Sequence, residues 1–484
     1  MTYIRPESSQ IDAWATSLKS PGWSWLNLWP YYLKSESFTP PTNAQITAGG
    51  ASYNPAYHGH TGPVNVGYQY GLLNGTLASL ANETWQALGV PFNRDPNGGD
   101  LRGFFVWPQT VDREANVRED ACRAYFYPVR ERENLFMLKG RVDRILWAGT
   151  DGETEGKVVA EGVQYTDPDD GSIRTIYAEK EVILSAGAVR SPAILELSGV
   201  GNPDILTPLN IPIVIPLPAV GENAIDQPNN FISYTTNHSF TGLAPYVTYM
   251  TAHDLLGPNE APSIAARISS QIPTWSRTAA AASHHAISAK SIEYLFRTQH
   301  DIIFNKSVPF IEILTTAMGS NVGSAFFILL PFSRGSVHVS SADPNVYPDI
   351  DPRYLSIDWD LELQGKVAEV VRRFWDTAPV KDIVGEPVQP SLQEVPSNAS
   401  GAEWEGWVRR SFSPNHHLLG TAAMLPRELG GVVDPQLVVY GTENVRVVDA
   451  SVLPTQVSGH LTSILYGVAE RAADLVKERW GFDT

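Results

Sequence analysis

Eleven histidines are spread along 484 residues, and two of them stand where chemistry could be done. His417 is followed by Leu418-Leu419-Gly420-Thr421, and His460 lies in Val457-Ser458-Gly459-His460-Leu461-Thr462, just ahead of a helical pattern. Imidazole titrates near neutral pH, so either ring can accept or deliver a proton in the physiological range. His416 carries the same side chain and rivals its neighbour on composition alone. Taken singly, each histidine also reads as a hydrogen-bonded core or surface residue, and the others, His284-His285 among them, are read that way. The helix after His460 carries partial positive charge at its N-terminus, near Thr462 and Ser463, which suits an anion. Ala186-Gly187 closes an apolar run, and such small residues let a ligand approach the backbone. The single cysteine, Cys122, excludes an intrachain disulfide and a cysteine-built zinc site, and no metal is expected.

These residues need elements to hold them. Hydrophobic residues make up 43% and charged residues 18%, with 13 Trp, as expected of a large packed core. The length is about three times that of a usual domain, which predicts two or more domains. The formal charge of −17 argues against nucleic acid or an anionic membrane surface as partner. The N-terminus lacks the apolar core of a signal peptide, no run is long enough to span a bilayer, and the chain as written reads as soluble. The first 70 residues read as an irregular packed segment. Leu72, Leu73, Leu77, Leu80 and Leu88 predict a helix within Tyr68 to Leu88. Asn134 to Trp147 reads as two short strands around Gly140. Val158 to Tyr165 and Ile173 to Ala178 flank a turn at Asp167 to Gly171, a hairpin signal. Glu181 to Gly187 reads as a buried strand, with Ser191 as N-cap and Pro192 at the first position of a helix that stops at Gly199. Ile232 to Ser411 mixes strands with a helix from Trp359 to Trp375 and suggests a second, substrate-side domain. Val445 to Asp449 reads as a strand and Ile464 to Trp480 as an amphipathic helix.

The run from Gly187 to Gly201 (GAVRSPAILELSGVG) resembles the second signature of the glucose–methanol–choline (GMC) oxidoreductases. His417 to Thr421, Gly430 to Asp434, Val438 to Gly441 and Val445 to Ser451 follow in that family's order and spacing, as do Gly22 to Glu36, His58 to Pro63 and Ser333 to Val337. Pro454-Thr455-Gln456 and the His460 region are similar to the fungal glucose-oxidase-like branch. The resemblance implies an α/β fold, α+β overall. An FAD-binding α/β domain would be built from discontinuous segments, beside a substrate domain with an antiparallel sheet and helices. The implied divisions are 1–66 (FAD lid remnant), 67–125 (intermediate segment), 126–225 (FAD-binding), 226–415 (substrate-binding) and 416–484 (FAD-binding, with the histidines). The implied function is FAD-dependent oxidation of a CH–OH group, with hydride leaving for the flavin. By the family's x-x-Gly-Thr spacing His417 is the base, and His460 contacts the same substrate oxygen. The resemblance places Val142, Ala186, Gly187, His416, Asp449, Ala450, Leu461 and Thr462 at the cofactor. In glucose oxidase a sugar-contacting arginine stands four residues before the catalytic histidine. Here Ser413 stands there and His416 replaces an aromatic residue, so glucose is not the expected substrate. A fungal secondary metabolite is the expected class.

One family feature is missing. No G-x-G-x-x-G exists, and Gly199-Val200-Gly201 meets Asp204 where a third glycine should be. Tyr3, Pro6 and Asp12 fit the end of the family's first signature. The expectation is that roughly a hundred residues of a family member are absent, the size of a βαβ unit with its lid. A gene model begun at an internal Met, a naturally shortened protein and a chain completed by a partner would each account for this. Exposed apolar surface should result. A flavin-free protein of the same fold with an accessory or binding role, and a lyase of the family, are the competing functions. The partners implied are a small-molecule alcohol, an electron acceptor that is O2 or another oxidant, and a second copy in a homodimer. Five sequons, at Asn74, Asn82, Asn237, Asn305 and Asn398, would fit secretion, and localisation stays open between secreted and cytoplasmic.

Overall fold

The computed structural model describes residues 1–72, 77–149 and 157–483. The chain opens with two helices, Ser8–Ala15 and Trp25–Ser35, the second capped by Ser24, whose hydroxyl accepts from Asn27 N. The expected irregular segment is therefore more regular than its turn formers suggested. Trp14, Trp23 and Tyr32 are fully buried, and their burial supplies the order that local propensity does not. A four-stranded sheet of Glu36–Thr39, Val64–Gly67, Gln109–Asp112 and Val117–Arg118 follows.

The expected helix within Tyr68 to Leu88 is shorter, Leu77–Ala87. The carbonyls of Tyr68 and Gln69 are taken by Gln45 Nε2 at 3.0 and 2.8 Å, which withdraws them from a helical ladder. Leu73 and Asn74 lie outside the described residues. Asn134 to Trp147 forms one strand, Arg141–Trp147, not two. Leu135 to Leu138 finds no pairing strand among the described residues and stays exposed. The hairpin is present as Ala160–Thr166 against Ile173–Tyr177, completing a three-stranded sheet with Arg141–Trp147.

Val182–Leu184 pairs in parallel with Val445–Val447, residue 182 opposite 445. The helix after it starts at Gly187 and runs to Leu197, so Ser191 and Pro192 lie inside it. Ser191 is not the N-cap because its hydroxyl reaches Asp449 Oδ2 at 2.5 Å instead. Pro192 has no N–H for the Ala188 carbonyl four residues back. The hydroxyl of Thr421 donates to that carbonyl at 2.7 Å. The C-terminal helix is Leu461–Arg479, three residues earlier than its apolar pattern indicated.

The largest sheet is antiparallel throughout. Its order is Pro387–Gln389, Pro228–Thr235, Asn321–Ile328, Ile311–Met318, Tyr246–Met250 and Gly103–Val106, with Ser413–Pro414 also pairing Pro228–Thr235. The helix Asp358–Trp375 packs on one face. From it, buried Gln364 donates to the carbonyls of Pro228 and Phe326 and accepts from Ile328 N, so these three backbone groups are satisfied. Two long helices, Ala252–Ala282 (kinked at Gly257) and Ala289–Phe304, pack on each other beside it.

Candidate active site

Two chain stretches zip together under the histidines. Ile225 and Leu419 exchange backbone hydrogen bonds, both 3.1 Å, and the pairing then slips by two residues, so that Asn415 N donates to Gln227 O at 3.1 Å and His416 and His417 lie in the irregular stretch between. Gly420 follows with φ +88, and a Cβ there would stand 2.5 Å from Asn223 O. Only glycine makes that turn without strain. The carboxylate of Asp226 accepts from His416 N (3.2 Å), His417 N (2.8 Å) and Gln227 N (2.8 Å), and from the Tyr354 hydroxyl. These contacts hold His416 at φ +61 and turn its neighbour inward.

His460 arrives from the other end of the chain. The loop before it is held by the N-terminal helix. Gln10 donates to Gln456 O (2.7 Å) and accepts from Ser458 N (2.8 Å), while Trp14 Nε1 reaches Thr455 (3.1 Å). Gly459, at φ +100, passes within 3.0 Å of Arg5 O by the position of its would-be Cβ. His460 then opens the C-terminal helix.

The structure brings His417 and His460 together, ring centroids 5.1 Å apart and nearly perpendicular at 84°. Phe327 meets both rings edge-on, at 6.3 and 6.5 Å. Each ring commits one nitrogen to the protein. His417 Nδ1 lies 2.8 Å from Gln227 Oε1 and 2.9 Å from Asn415 Nδ2. His460 Nε2 lies 2.6 Å from Glu312 Oε1, and the other oxygen of that buried carboxylate accepts from Tyr249 OH at 2.8 Å. The remaining nitrogen of each ring has no hydrogen-bond partner among the described residues. Burial, then the nearby charges of His460 and His416, lowers His417 to about 3, so it stands neutral and able to accept a proton.

The sequence reading had not singled out Gln227, Glu312, Asn415 or Asp226. A lone acid in the apolar strand Ile311–Met318 was a readable signal for Glu312. Nothing local marks Gln227. His416 is exposed and lies apart from the surfaces that hold the other expected cofactor residues.

Two open clefts meet along the end of Val182–Leu184, where Ser185 borders both. One, of about 570 Å³, is lined by Val142, Ile183, Ala186 and Arg190 among others. The other, of about 450 Å³, is lined by Gly187, Asp449, Ala450, Thr462 and Tyr466 among others. The C-terminal end of a parallel strand is the usual ligand side of an α/β sheet. Leu461 sits half-buried in the first turn of the C-terminal helix. The Asp449 side chain is already spent. It accepts from Gly187 N (2.9 Å), Ser191 Oγ and Ser451 N (2.8 Å), so it staples the two elements and leaves its backbone to a ligand.

Family models described as GMC oxidoreductase match residues 1–229 and 331–469. A glucose oxidase-like protein of Humicola fuscoatra, fsoC, is 46% identical over 99% of this chain and 80% of its own length. The chain belongs to the GMC oxidoreductase family. A glucose oxidase of Penicillium chrysogenum is 34% identical, covering 99% of this chain and 77% of that protein. An FAD-dependent oxidoreductase from Chaetomium thermophilum has the same fold, with a TM-score of 0.89 and 27% identity over 100% of this chain and 85% of that one. As a GMC oxidoreductase the chain is an FAD-dependent enzyme acting on CH–OH groups of a small molecule. The clefts leave room for a ligand along the strand end. Gly187 (φ +80) has no atom within 4 Å of where a Cβ would stand, so that side of its Cα is open to a ligand. The helix N-terminus at Leu461-Thr462 has no side-chain cap and faces the smaller cleft, so its N–H groups suit an anionic reduced flavin. The GMC phosphate cradle, a Gly-rich strand–turn–helix, is not found among the described residues.

Proposed function

We propose that this GMC oxidoreductase oxidises a small alcohol other than glucose, with His417 as the base. The observation that carries the reading is the facing pair of imidazoles, each tied to the protein by one nitrogen and open at the other. Bound FAD supplies the acceptor for the hydride. As the substrate C–H bond gives up its electron pair, which the bound cofactor would accept, His417 takes the O–H proton through its open nitrogen and the carbon–oxygen double bond forms. His460, braced through Nε2 by the Glu312 carboxylate, turns its other nitrogen to the same substrate oxygen and orients the hydroxyl for transfer. Val142, Ala186, Gly187, Ala450, Leu461 and Thr462 would contact the cofactor. Molecular oxygen is the proposed electron acceptor, a reading supported by likeness to a glucose oxidase.

The departure from glucose rests on Ser413. It lies on the short strand Ser413–Pro414, its hydroxyl bonding Asn229 O at 3.4 Å, and offers no guanidinium fork to a sugar. The test loads the purified chain with FAD and mixes it anaerobically with glucose and with a panel of aryl and aliphatic alcohols, following flavin bleaching. Rapid bleaching by an alcohol but not by glucose supports the reading. Efficient bleaching by glucose defeats the substrate part. No bleaching by any alcohol from a flavin-loaded chain favours the lyase reading, and failure to retain flavin favours the flavin-free one.

A further inference from the structure

The contacts of Gln227 bear on which nitrogen of His417 carries the proton. Gln227 is fully buried, and its amide has one orientation that satisfies both ends. Nε2 donates to Leu329 O at 3.1 Å, which turns Oε1 toward His417 Nδ1 at 2.8 Å and Asn415 Nδ2 at 2.8 Å. Asn415 is oriented in turn, because its Oδ1 accepts from Asn229 Nδ2 at 3.0 Å. Three atoms thus sit in a near-triangle: a carbonyl oxygen, an amide nitrogen and His417 Nδ1. The oxygen has no hydrogen, and a second lone pair facing it at 2.8 Å would be repelled. A protonated Nδ1 removes that clash: Asn415 Nδ2, 2.9 Å from the ring nitrogen, then gives its hydrogen to the oxygen and not to the ring, and the oxygen accepts two hydrogen bonds, one for each lone pair.

We propose that Gln227 is a positioning residue that fixes His417 in the Nδ1–H tautomer and so reserves its Nε2 lone pair for the substrate hydroxyl. This rests on the reading of His417 as the base. When Nε2 takes the proton, positive charge spreads onto Nδ1–H and its bond to Gln227 Oε1 becomes charge-assisted and stronger. The amide oxygen therefore helps most after proton transfer, which is when a catalyst gains from it. Being neutral, it does this without putting a second buried negative charge beside the Glu312 carboxylate. The opposite tautomer would point a donor at the hydroxyl and leave no acceptor for its proton.

The test reads the tautomer directly. The full chain is labelled with [15N]histidine, and long-range 1H–15N spectra are recorded near neutral pH, with His417 assigned by its loss in His417→Asn. The expected wild-type pattern has a protonated-type Nδ1 and an unprotonated-type Nε2. Gln227→Met keeps the volume but removes the acceptor. It should reverse the pattern and, in the FAD-loaded enzyme, lower kcat about 100-fold with little change in KM. Gln227→Glu restores an acceptor and should restore the pattern. A wild-type Nε2–H tautomer, or an unchanged pattern in Gln227→Met, overturns the proposal, and the wild-type spectrum decides even where a variant fails to fold. If the spectra behave as expected but His417→Asn oxidises alcohols normally, the assignment of His417 as base fails while the tautomer assignment stands.

Discussion

His417 works in a pocket that withholds protons from it. Burial and the charges of His460 and His416 bring it to about 3, below the ordinary histidine value of about 6.5. In the unfolded chain the ring protonates as pH falls through about 6.5, whereas in the folded chain it waits until about 3. Its contribution to stability is thus complete above about 6.5 and lost as pH falls toward about 3. The FAD-loaded enzyme should show no His417 titration in kcat from about pH 5 to about pH 8, and a steep fall within that window would contradict the assignment. His417→Ala should lower kcat by about 10²- to 10⁴-fold while retaining the flavin spectrum. Of these residues His417, His416 and His460 could be read from types and spacing. Gln227 and Asp226 could not, because their importance lies in which atoms they face across the chain.

Thr421 shows how one element repairs another. Pro192 interrupts the helix Gly187–Leu197 and frees the Ala188 carbonyl, and the Thr421 hydroxyl closes the gap from a distant stretch. Thr421 is fully buried, so water cannot substitute. Thr421→Val keeps the shape and removes the donor, and should cost about 1–3 kcal/mol. The readout is a lower denaturant midpoint at unchanged m-value, with Thr421→Ser near wild type. A neutral Thr421→Val would mean the carbonyl finds another donor. The same helix illustrates a boundary that local signals misplace. Ser191-Pro192 looks like a helix start, yet the helix begins five residues earlier, at Gly187, because Asp449 accepts from Gly187 N and draws Ser191 inward.

At the scale of the whole molecule, His338 is a charged rivet. It joins Glu196 of the helix Gly187–Leu197, at 2.7 Å, to Glu222 of the turn before Gln227, at 3.1 Å. Burial alone would lower it, but hydrogen bonds to the two carboxylates outweigh that and raise it to about 9. With the folded value above the ordinary one, its stabilisation is complete below about pH 6.5 and lost as pH rises through about 9. Thermal unfolding across that range should show wild-type Tm falling, while His338→Gln, less stable at the start by about 3 kcal/mol, begins from a lower Tm and shows a flatter profile. Equal slopes would exclude His338 as the cause. Apolar surface remains uncovered elsewhere: Phe136 is 80% and Leu138 62% exposed. Replacing both with Ser should lower hydrophobic-dye binding without shifting Tm, and unchanged dye binding would point to another patch. No helix among the described residues is long and apolar enough to cross a membrane. By itself the sequence determined the family signature, the hairpin, the paired strand and helix at Glu181 to Gly199, and the two histidines, since each is written in contiguous residues. Only the tertiary structure decided the geometry of the histidine pair, the amide and carboxylate that brace it, and the clefts at the strand end. Their partners lie far apart in the chain, 190 residues for Gln227 and His417 and 148 for Glu312 and His460, and the contacts that join them exist only once the middle of the chain is packed against its C-terminal part.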